Sequence, residues 1–130
     1  MAESPPIAIV DDDESVRDAL TSLLHSVGWR AEAFASAEAF LQSGQVHTTA
    51  CLLLDVRLPG LSGLELQRQL RLSQAQLPLI FLTAHGTEAM RAQTLQAGAV
   101  AFFTKPFSDT ALLEAIHTAL APDNRPSPHH

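Results

Sequence analysis

Five residues of this chain have the types, and the spacing, to handle a phosphoryl group: Asp11, Asp12, Asp55, Thr83 and Lys105. Asp11 and Asp12 follow the apolar run Ile7–Val10, and Asp55 follows Ala50–Leu54. Thr83 follows Leu79–Leu82, and Lys105 follows Val100–Thr104. Three carboxylates brought together repel one another, and a hard divalent cation such as Mg²⁺ (or Mn²⁺), which takes oxygen ligands, relieves that repulsion. Lys105 is the only lysine of the chain, so its place in this series is hard to treat as scatter. An ammonium and a divalent cation around one carboxylate neutralise the charge of an incoming phosphoryl group, and that carboxylate can be the in-line nucleophile. The product would be an aspartyl phosphate.

These residues act together only if the chain brings the ends of four apolar runs to one edge. After the first run, Val16, Ala19, Leu20, Leu23, Leu24 and Val27 recur at helical spacing, and Gly28 supplies a stop. Arg30–Phe34 alternates weakly, as an edge strand does. Ser36 or Ser43, with Gly44, brackets a short helix containing Phe40 and Leu41. Pro59, Gly60 and Gly63 break the chain before a polar helix from about Leu64 to Leu72, and Pro78 opens the fourth run. A helix from about Glu88 to Gln96 closes at Gly98. A last helix runs from about Asp109, as its N-cap, to Leu120, with Leu112, Leu113, Ile116 and Leu120 on one face. Five strand–helix units in strict alternation, three of the runs apolar on both faces, predict a parallel α/β sheet covered by helices on both sides. Ligands of such sheets bind at the carboxyl ends of the strands, where strand order reverses. Every residue of the candidate set falls there.

A length of 130 residues fits one domain with a real core. Hydrophobic residues at 46% and charged ones at 17% exclude a disordered chain, and the net charge of −6 argues against a nucleic-acid surface within this piece. No apolar run approaches the roughly 20 residues of a membrane helix. Met1 leads into Ala-Glu-Ser-Pro-Pro without a secretory pattern, and the lone Cys51 cannot form an internal disulfide. The expectation is a cytoplasmic acidic domain over residues 7–121, with no membrane contact. Residues 1–6 read as an extended lead-in, and the Pro-rich residues 122–130 as a linker toward a further domain or an appended tail ending in His129 and His130. No internal repeat is present.

Taken singly, most of these residues have ordinary explanations. Asp13 and Glu14 suit the cap and first turn of a helix, and Asp11 or Asp12 alone could do the same. Thr83 alone is a common strand ending, and Lys105 alone could lay its stem on apolar surface. Asp55 is harder to explain, because the preceding run delivers it straight from the core to the sheet edge. The joint placement carries the inference. Cys51 reads as a small core residue, Trp29 as a packing residue, and His25, His47 and His117 as surface or helix-end residues without metal-ligand spacing. His85, two residues after Thr83, is expected at the mouth of the site.

With those residues in hand, the chain resembles the receiver domain of bacterial two-component response regulators over essentially residues 7–121. The motifs are Val10-Asp11-Asp12-Asp13, Leu54-Asp55-Val56-Arg57-Leu58-Pro59 followed by Gly63, Leu82-Thr83-Ala84, and Lys105-Pro106-Phe107. Asp12-Asp13-Glu14 with Val16-Arg17, Ser36-Ala37-Glu38-Ala39-Phe40-Leu41, and Thr83-Ala84-His85-Gly86 look most like the FixJ-like subgroup. The resemblance implies a flavodoxin-like or chemotaxis-receiver-like (βα)5 doubly wound parallel sheet with strand order 2-1-3-4-5. It implies that Asp55 accepts a phosphoryl group from a sensor histidine kinase. Asp11, Asp12 and Asp55, with the backbone carbonyl of Arg57, would hold Mg²⁺ or Mn²⁺. Thr83 and Lys105 would bind phosphoryl oxygens, and Phe102 would turn inward as Thr83 moves. The bond between Lys105 and Pro106 is expected to be cis.

By the same resemblance, the face of the fourth helix, fifth strand and fifth helix would pair with a second copy. DNA would be reached only through an output domain absent from this chain. Leu58 replaces the methionine often found before that proline, a volume-conserving change. Phe102 lacks the hydroxyl of a tyrosine at the switch position. Arg57 and His85 occupy the two positions that tune dephosphorylation in receivers.

Other readings fit less well. A magnesium-dependent phosphatase of the haloacid-dehalogenase type also uses a strand-end aspartate, but it looks for a second acid two positions on, where this chain has Arg57. Its length also leaves no cap over a substrate. A nucleotide-binding domain would need a glycine-rich phosphate loop, and neither common form occurs. A scaffold that keeps only the fold has no physical need for the acid–threonine–lysine set.

Overall fold

The computed structural model describes residues 5–121; residues 1–4 and the whole of the Pro-rich segment 122–130 lie outside the described residues. Strands β1 (Ile7–Val10), β2 (Ala31–Phe34), β3 (Cys51–Leu54), β4 (Leu79–Thr83) and β5 (Ala101–Thr104) alternate with five helices. These are α1 (Glu14–Ser26), α2 (Ala37–Gln42), α3 (Gly63–Leu72), α4 (Glu88–Gln96) and α5 (Asp109–Leu120), and a 3₁₀ turn at Val46–Thr48 precedes β3. The strands form one sheet in the order β2-β1-β3-β4-β5, and every pairing is parallel. This is the topology the resemblance implied.

Sequence and position agree strand by strand. The inner strands β1, β3 and β4 are buried along their whole length, which is why each reads as an unbroken apolar run. The outer strands β2 and β5 are only partly buried, and their sequences are correspondingly mixed. Successive side chains point to opposite faces, so each strand feeds two cores. Ala8, Val10, Leu52, Leu54 and Phe81 pack with Phe40 of α2 and with Leu66 and Leu70 of α3. Ile7, Ile9, Leu53, Ile80 and Leu82 pack on the other face with Leu20 and Leu24 of α1 and Leu112 and Ile116 of α5. Phe40 and Phe81 are fully buried, and cutting either to alanine costs about 3–5 kcal/mol. Cys51 lies in this core, where burial pushes its thiol up to about 12, and Trp29 packs against the second cluster as expected.

Helix starts follow local capping chemistry. Asp13 caps α1, its carboxylate accepting the Ser15 N–H at 2.9 Å, with Glu14 in the first turn. Ser36, not Ser43, caps α2 by accepting the Ala39 N–H. The N-cap of α5 is Ser108, whose hydroxyl accepts the Ala111 N–H, and not Asp109, which is the first helical residue. Both residue types cap well; Ser108 wins because its extended backbone precedes the first turn, where the charge of Asp109 favours the helix's positive end. Ser62 starts α3 one residue earlier than the sequence pattern suggests.

One helix is held differently. The only buried residue of α4 is Thr94, and the buried amide of Gln67 on α3 donates to the Thr94 carbonyl at 3.0 Å. A directional polar bond therefore adds to the few apolar contacts that Met90 and Leu95 make.

Candidate functional site

Parallel register fixes which residues meet. Val10 pairs with Phe34 and Leu54, and Thr83 pairs with Thr104, so the residues just beyond them leave the sheet along one edge. Backbone bonds continue across that edge. The Asp11 N–H donates to Phe34, the Asp55 N–H to Val10 at 3.1 Å, and the Lys105 N–H to the Thr83 carbonyl at 2.8 Å. The sheet's ladder itself places the acids, the threonine and the lysine side by side.

The side chains complete the site. Lys105 Nζ donates to Asp11 Oδ2 at 2.9 Å and to Asp55 Oδ2 at 3.2 Å. The other oxygens of the two acids accept backbone protons: Asp11 Oδ1 from Asp13 and Asp55 Oδ1 from Arg57, at 2.9 and 3.0 Å. Asp11 and Asp55 are buried, at 3% and 8% exposure, whereas Asp12 is exposed. One carboxylate oxygen from each of Asp11, Asp12 and Asp55 lies within 4.8 Å of the others. Such a set of hard oxygen donors, with no thiolate or imidazole among them, fits Mg²⁺ or Mn²⁺, which bind through one or two carboxylates, better than zinc or copper.

The electrostatics follow the burial. Desolvation raises the Asp55 carboxyl above the usual carboxylate range, and the neighbouring charge of Asp11 adds to this; the Arg57 N–H and Lys105 offset part of the shift. Burial works against the Lys105 ammonium, but its bonds and charges from Asp11 and Asp55 outweigh it and hold the amine above its ordinary value. Asp13 is lowered by the hydroxyl and N–H of Ser15, as a cap should be.

Other expected residues stand around this centre. Thr83 is buried, at 1% exposure, at the end of β4. Arg57 lies immediately after Asp55 and Val56 in the β3–α3 loop, with its side chain exposed. Phe102 does not touch the acids. It is half-buried beside Phe81, with ring centroids 6.4 Å apart. The peptide bond from Lys105 to Pro106 is cis. His85 is exposed in the β4–α4 loop, and His25, His47 and His117 are exposed at helix ends. An open groove of about 580 Å³ flanks the acids, lined by Asp12, Val56, Arg57, Leu58, Pro59 and Leu64 among others.

Several supporting residues carry no role at the site in the sequence reading. Arg17 on α1 donates to the Asp11 carbonyl at 2.8 Å and so ties the acidic loop to its helix. Gly63 has its Cα against the Asp55 backbone; a side chain there would run into the Asp55 carbonyl oxygen. Glu38 on α2 accepts the Leu61 N–H at 2.8 Å. Arg17, Glu38 and Gly63 all fall inside motifs quoted above, but the motif alone does not say what each one touches.

With the geometry in place, similarity to known proteins is specific. The family model of the response regulator receiver domain matches residues 7–117. The response regulator protein TodT of Pseudomonas putida is 48% identical over 121 residues, covering 92% of this chain and 53% of TodT. The transcriptional regulatory protein FixJ of Azorhizobium caulinodans is 39% identical over 120 residues, covering 92% of this chain and 57% of FixJ. The crystal structure of FixJ-N superposes with a TM-score of 0.81 at 39% identity, covering 92% of this chain and 95% of that one. The chain thus spans about half the length of the curated relatives it matches. Fold, strand-end chemistry and sequence converge: this chain belongs to the receiver domains of two-component response regulators, and within them to the FixJ-like group.

Proposed function

We propose that residues 7–121 form a phosphoacceptor switch in which Asp55 takes a phosphoryl group from a sensor histidine kinase. The observation that carries this reading is the shared ammonium: Lys105, at the end of β5, reaches past β4 to both Asp55 and Asp11. Asp55 attacks phosphorus through a carboxylate oxygen, the bond from phosphorus to the imidazole nitrogen of the donor breaks, and the imidazole leaves. The Arg57 N–H keeps the Asp55 carboxylate oriented for in-line approach, and Lys105 pairs with a phosphoryl oxygen as charge builds. Asp11, Asp12 and Asp55, with the Arg57 carbonyl, would hold Mg²⁺ or Mn²⁺, which neutralises phosphoryl charge when bound. The domain is regulatory, and the chemistry it performs is its own phosphorylation and dephosphorylation.

Thr83 then supplies its hydroxyl to the phosphoryl group, and Phe102 follows on the neighbouring strand. The face of α4, β5 and α5 repacks and pairs with a second copy. A coupling of about 1–3 kcal/mol between site and face suffices. Any contact with DNA belongs to an output domain outside residues 7–121. A cytoplasmic setting suits the unpaired Cys51 and a kinase donor, and no helix among the described residues is long and apolar enough to cross a membrane.

The test is intact mass after acetyl phosphate and Mg²⁺. A single phosphoryl adduct is expected, lost on addition of EDTA and in Asp55→Asn, with dimer formation lost alongside it. Phosphoryl release from a panel of phosphomonoesters, with no adduct, would favour the phosphatase reading. An unmodified chain under conditions that label another receiver would favour the scaffold.

A further inference from the structure

The β3–α3 loop, residues 55–62, carries both the phosphoacceptor and Arg57, and it must keep one shape for the site to work. Three hydrogen bonds fix it. The Arg57 N–H closes on Asp55 Oδ1 at 3.0 Å, and the Gly63 N–H on the Val56 carbonyl at 2.9 Å. The third bond, from the Leu61 N–H to Glu38 Oε2 at 2.8 Å, is the one of these three that comes from another element. Gly60 adds a second observation. Its φ is +74°, and a Cβ there would run into the Glu38 carboxylate, so the acid is seated directly on the Gly60–Leu61 peptide. The anchor behind Glu38 is firm, because its neighbours Ala37 and Phe40 on α2 are fully buried.

We propose that Glu38 is a positioning residue for phosphoryl transfer: it clamps the Gly60–Leu61 peptide and so holds the loop that presents Asp55 and the Arg57 carbonyl to a divalent cation. This rests on the phosphoacceptor reading above. The Leu61 N–H also holds the Glu38 carboxyl below its usual range, so the clamp is charged at neutral pH. Glu38 touches neither the acids nor the phosphoryl group. Its effect is to keep the loop from sampling shapes in which Arg57 is turned away. Outer-shell partners of this kind typically change metal affinity when removed.

The experiment compares the wild-type chain with Glu38→Ala, Glu38→Gln and Glu38→Asp. Mg²⁺ binding is followed through the amide NMR signals of Asp55 and Arg57, and phosphorylation by acetyl phosphate through intact mass at a series of Mg²⁺ concentrations. Glu38→Ala is expected to weaken Mg²⁺ binding roughly 10-fold. The Mg²⁺ concentration for half-maximal phosphorylation should rise by the same factor, with little change in the rate at saturation. Exchange protection of the Leu61 amide should fall. Glu38→Gln still offers an acceptor at the right reach and restores most of the loss. Glu38→Asp keeps the charge but falls one carbon short, and behaves like Glu38→Ala. Wild-type Mg²⁺ affinity in Glu38→Ala, or recovery by Glu38→Asp instead of Glu38→Gln, overturns the clamp. A wild-type chain that binds Mg²⁺ yet takes no phosphoryl group overturns the phosphoacceptor reading instead, and the Mg²⁺ titration still decides the clamp.

Discussion

Gly86 and Phe102 share one space: a Cβ built on Gly86 would lie 2.9 Å from Cε1 and 3.0 Å from Cζ of the Phe102 ring. The β4–α4 loop therefore closes over the ring of β5 at a point where a side chain fits only if the ring shifts. Thr83 ends β4 just before this loop, so a shift at Thr83 reaches the ring through a few backbone links. Gly86→Ala displaces the ring from its place without touching the acids. Under the proposed switch, phosphorylation by acetyl phosphate stays within about two-fold of wild type, while the dimer fraction of the unphosphorylated chain rises roughly five-fold or more. Intact mass and light scattering on the same samples check the two halves separately.

Asp55 destabilises the fold it serves. Its folded-state carboxyl is raised by burial, so folding binds the proton more tightly and favours the neutral acid. Stability tied to this group is fully present below the unfolded carboxylate range and is lost as pH rises through the raised folded value. Asp55→Asn removes that cost while keeping an acceptor for the Arg57 N–H. It should stabilise the chain at neutral pH by roughly 0.5–2 kcal/mol, as expected where an active site is strained for function. The gain should vanish as pH falls below about 4, where both side chains are neutral. Thermal melts across pH 3–8 measure it.

Removing Lys105 has the opposite sign. Lys105→Ala leaves Asp11 and Asp55 facing one another in a buried corner, and should cost about 1–3 kcal/mol at neutral pH, discounted for the partial exposure of the ammonium. Mg²⁺ should raise Tm more in this variant than in wild type, because the cation takes over the neutralisation. The lysine's own amine is raised, so its stabilising pair persists below the ordinary lysine range and is lost only as pH climbs through the raised value. A melt series with and without Mg²⁺ tests all of this; equal Mg²⁺ effects in both chains would contradict the shared-ammonium geometry.

The tie from Gln67 to Thr94 predicts a local effect. Gln67→Ala removes the amide that meets the Thr94 carbonyl and should cost about 1–2 kcal/mol. Because α4 buries only Thr94, the loss should concentrate there. Hydrogen exchange should speed up in Glu88–Gln96 while β1 and β3 keep their protection.

The fold was legible because its evidence is repetitive. Three inner strands read as apolar runs, each followed within a few residues by a cap or a glycine, and only a parallel sheet accepts that pattern. The central site was legible for the same reason: Asp11, Asp55, Thr83 and Lys105 mark strand ends, and strand ends converge. What stayed hidden depends on contacts between distant segments. Glu38 and Leu61 are 23 residues apart, and nothing in Ser36–Leu41 announces that its acid will seat on a glycine of another loop. The N-cap of α5 was misplaced by one residue because Ser108 and Asp109 have nearly equal capping propensity, and only backbone geometry separates them.

The pairing of the chain's only lysine with two acids also makes amine chemistry a readout of the site. Lys105 is held as an ammonium, with its side chain 19% exposed, and an ammonium is no nucleophile toward an acylating reagent. An amine-directed label should therefore acylate the ε-amine slowly in the intact domain. It should do so faster in Asp11→Asn or Asp55→Asn, where a partner is gone. With no second lysine in the chain, the labelling rate of this ε-amine, read on its own peptide and apart from the α-amine, reports how tightly the acidic corner is closed.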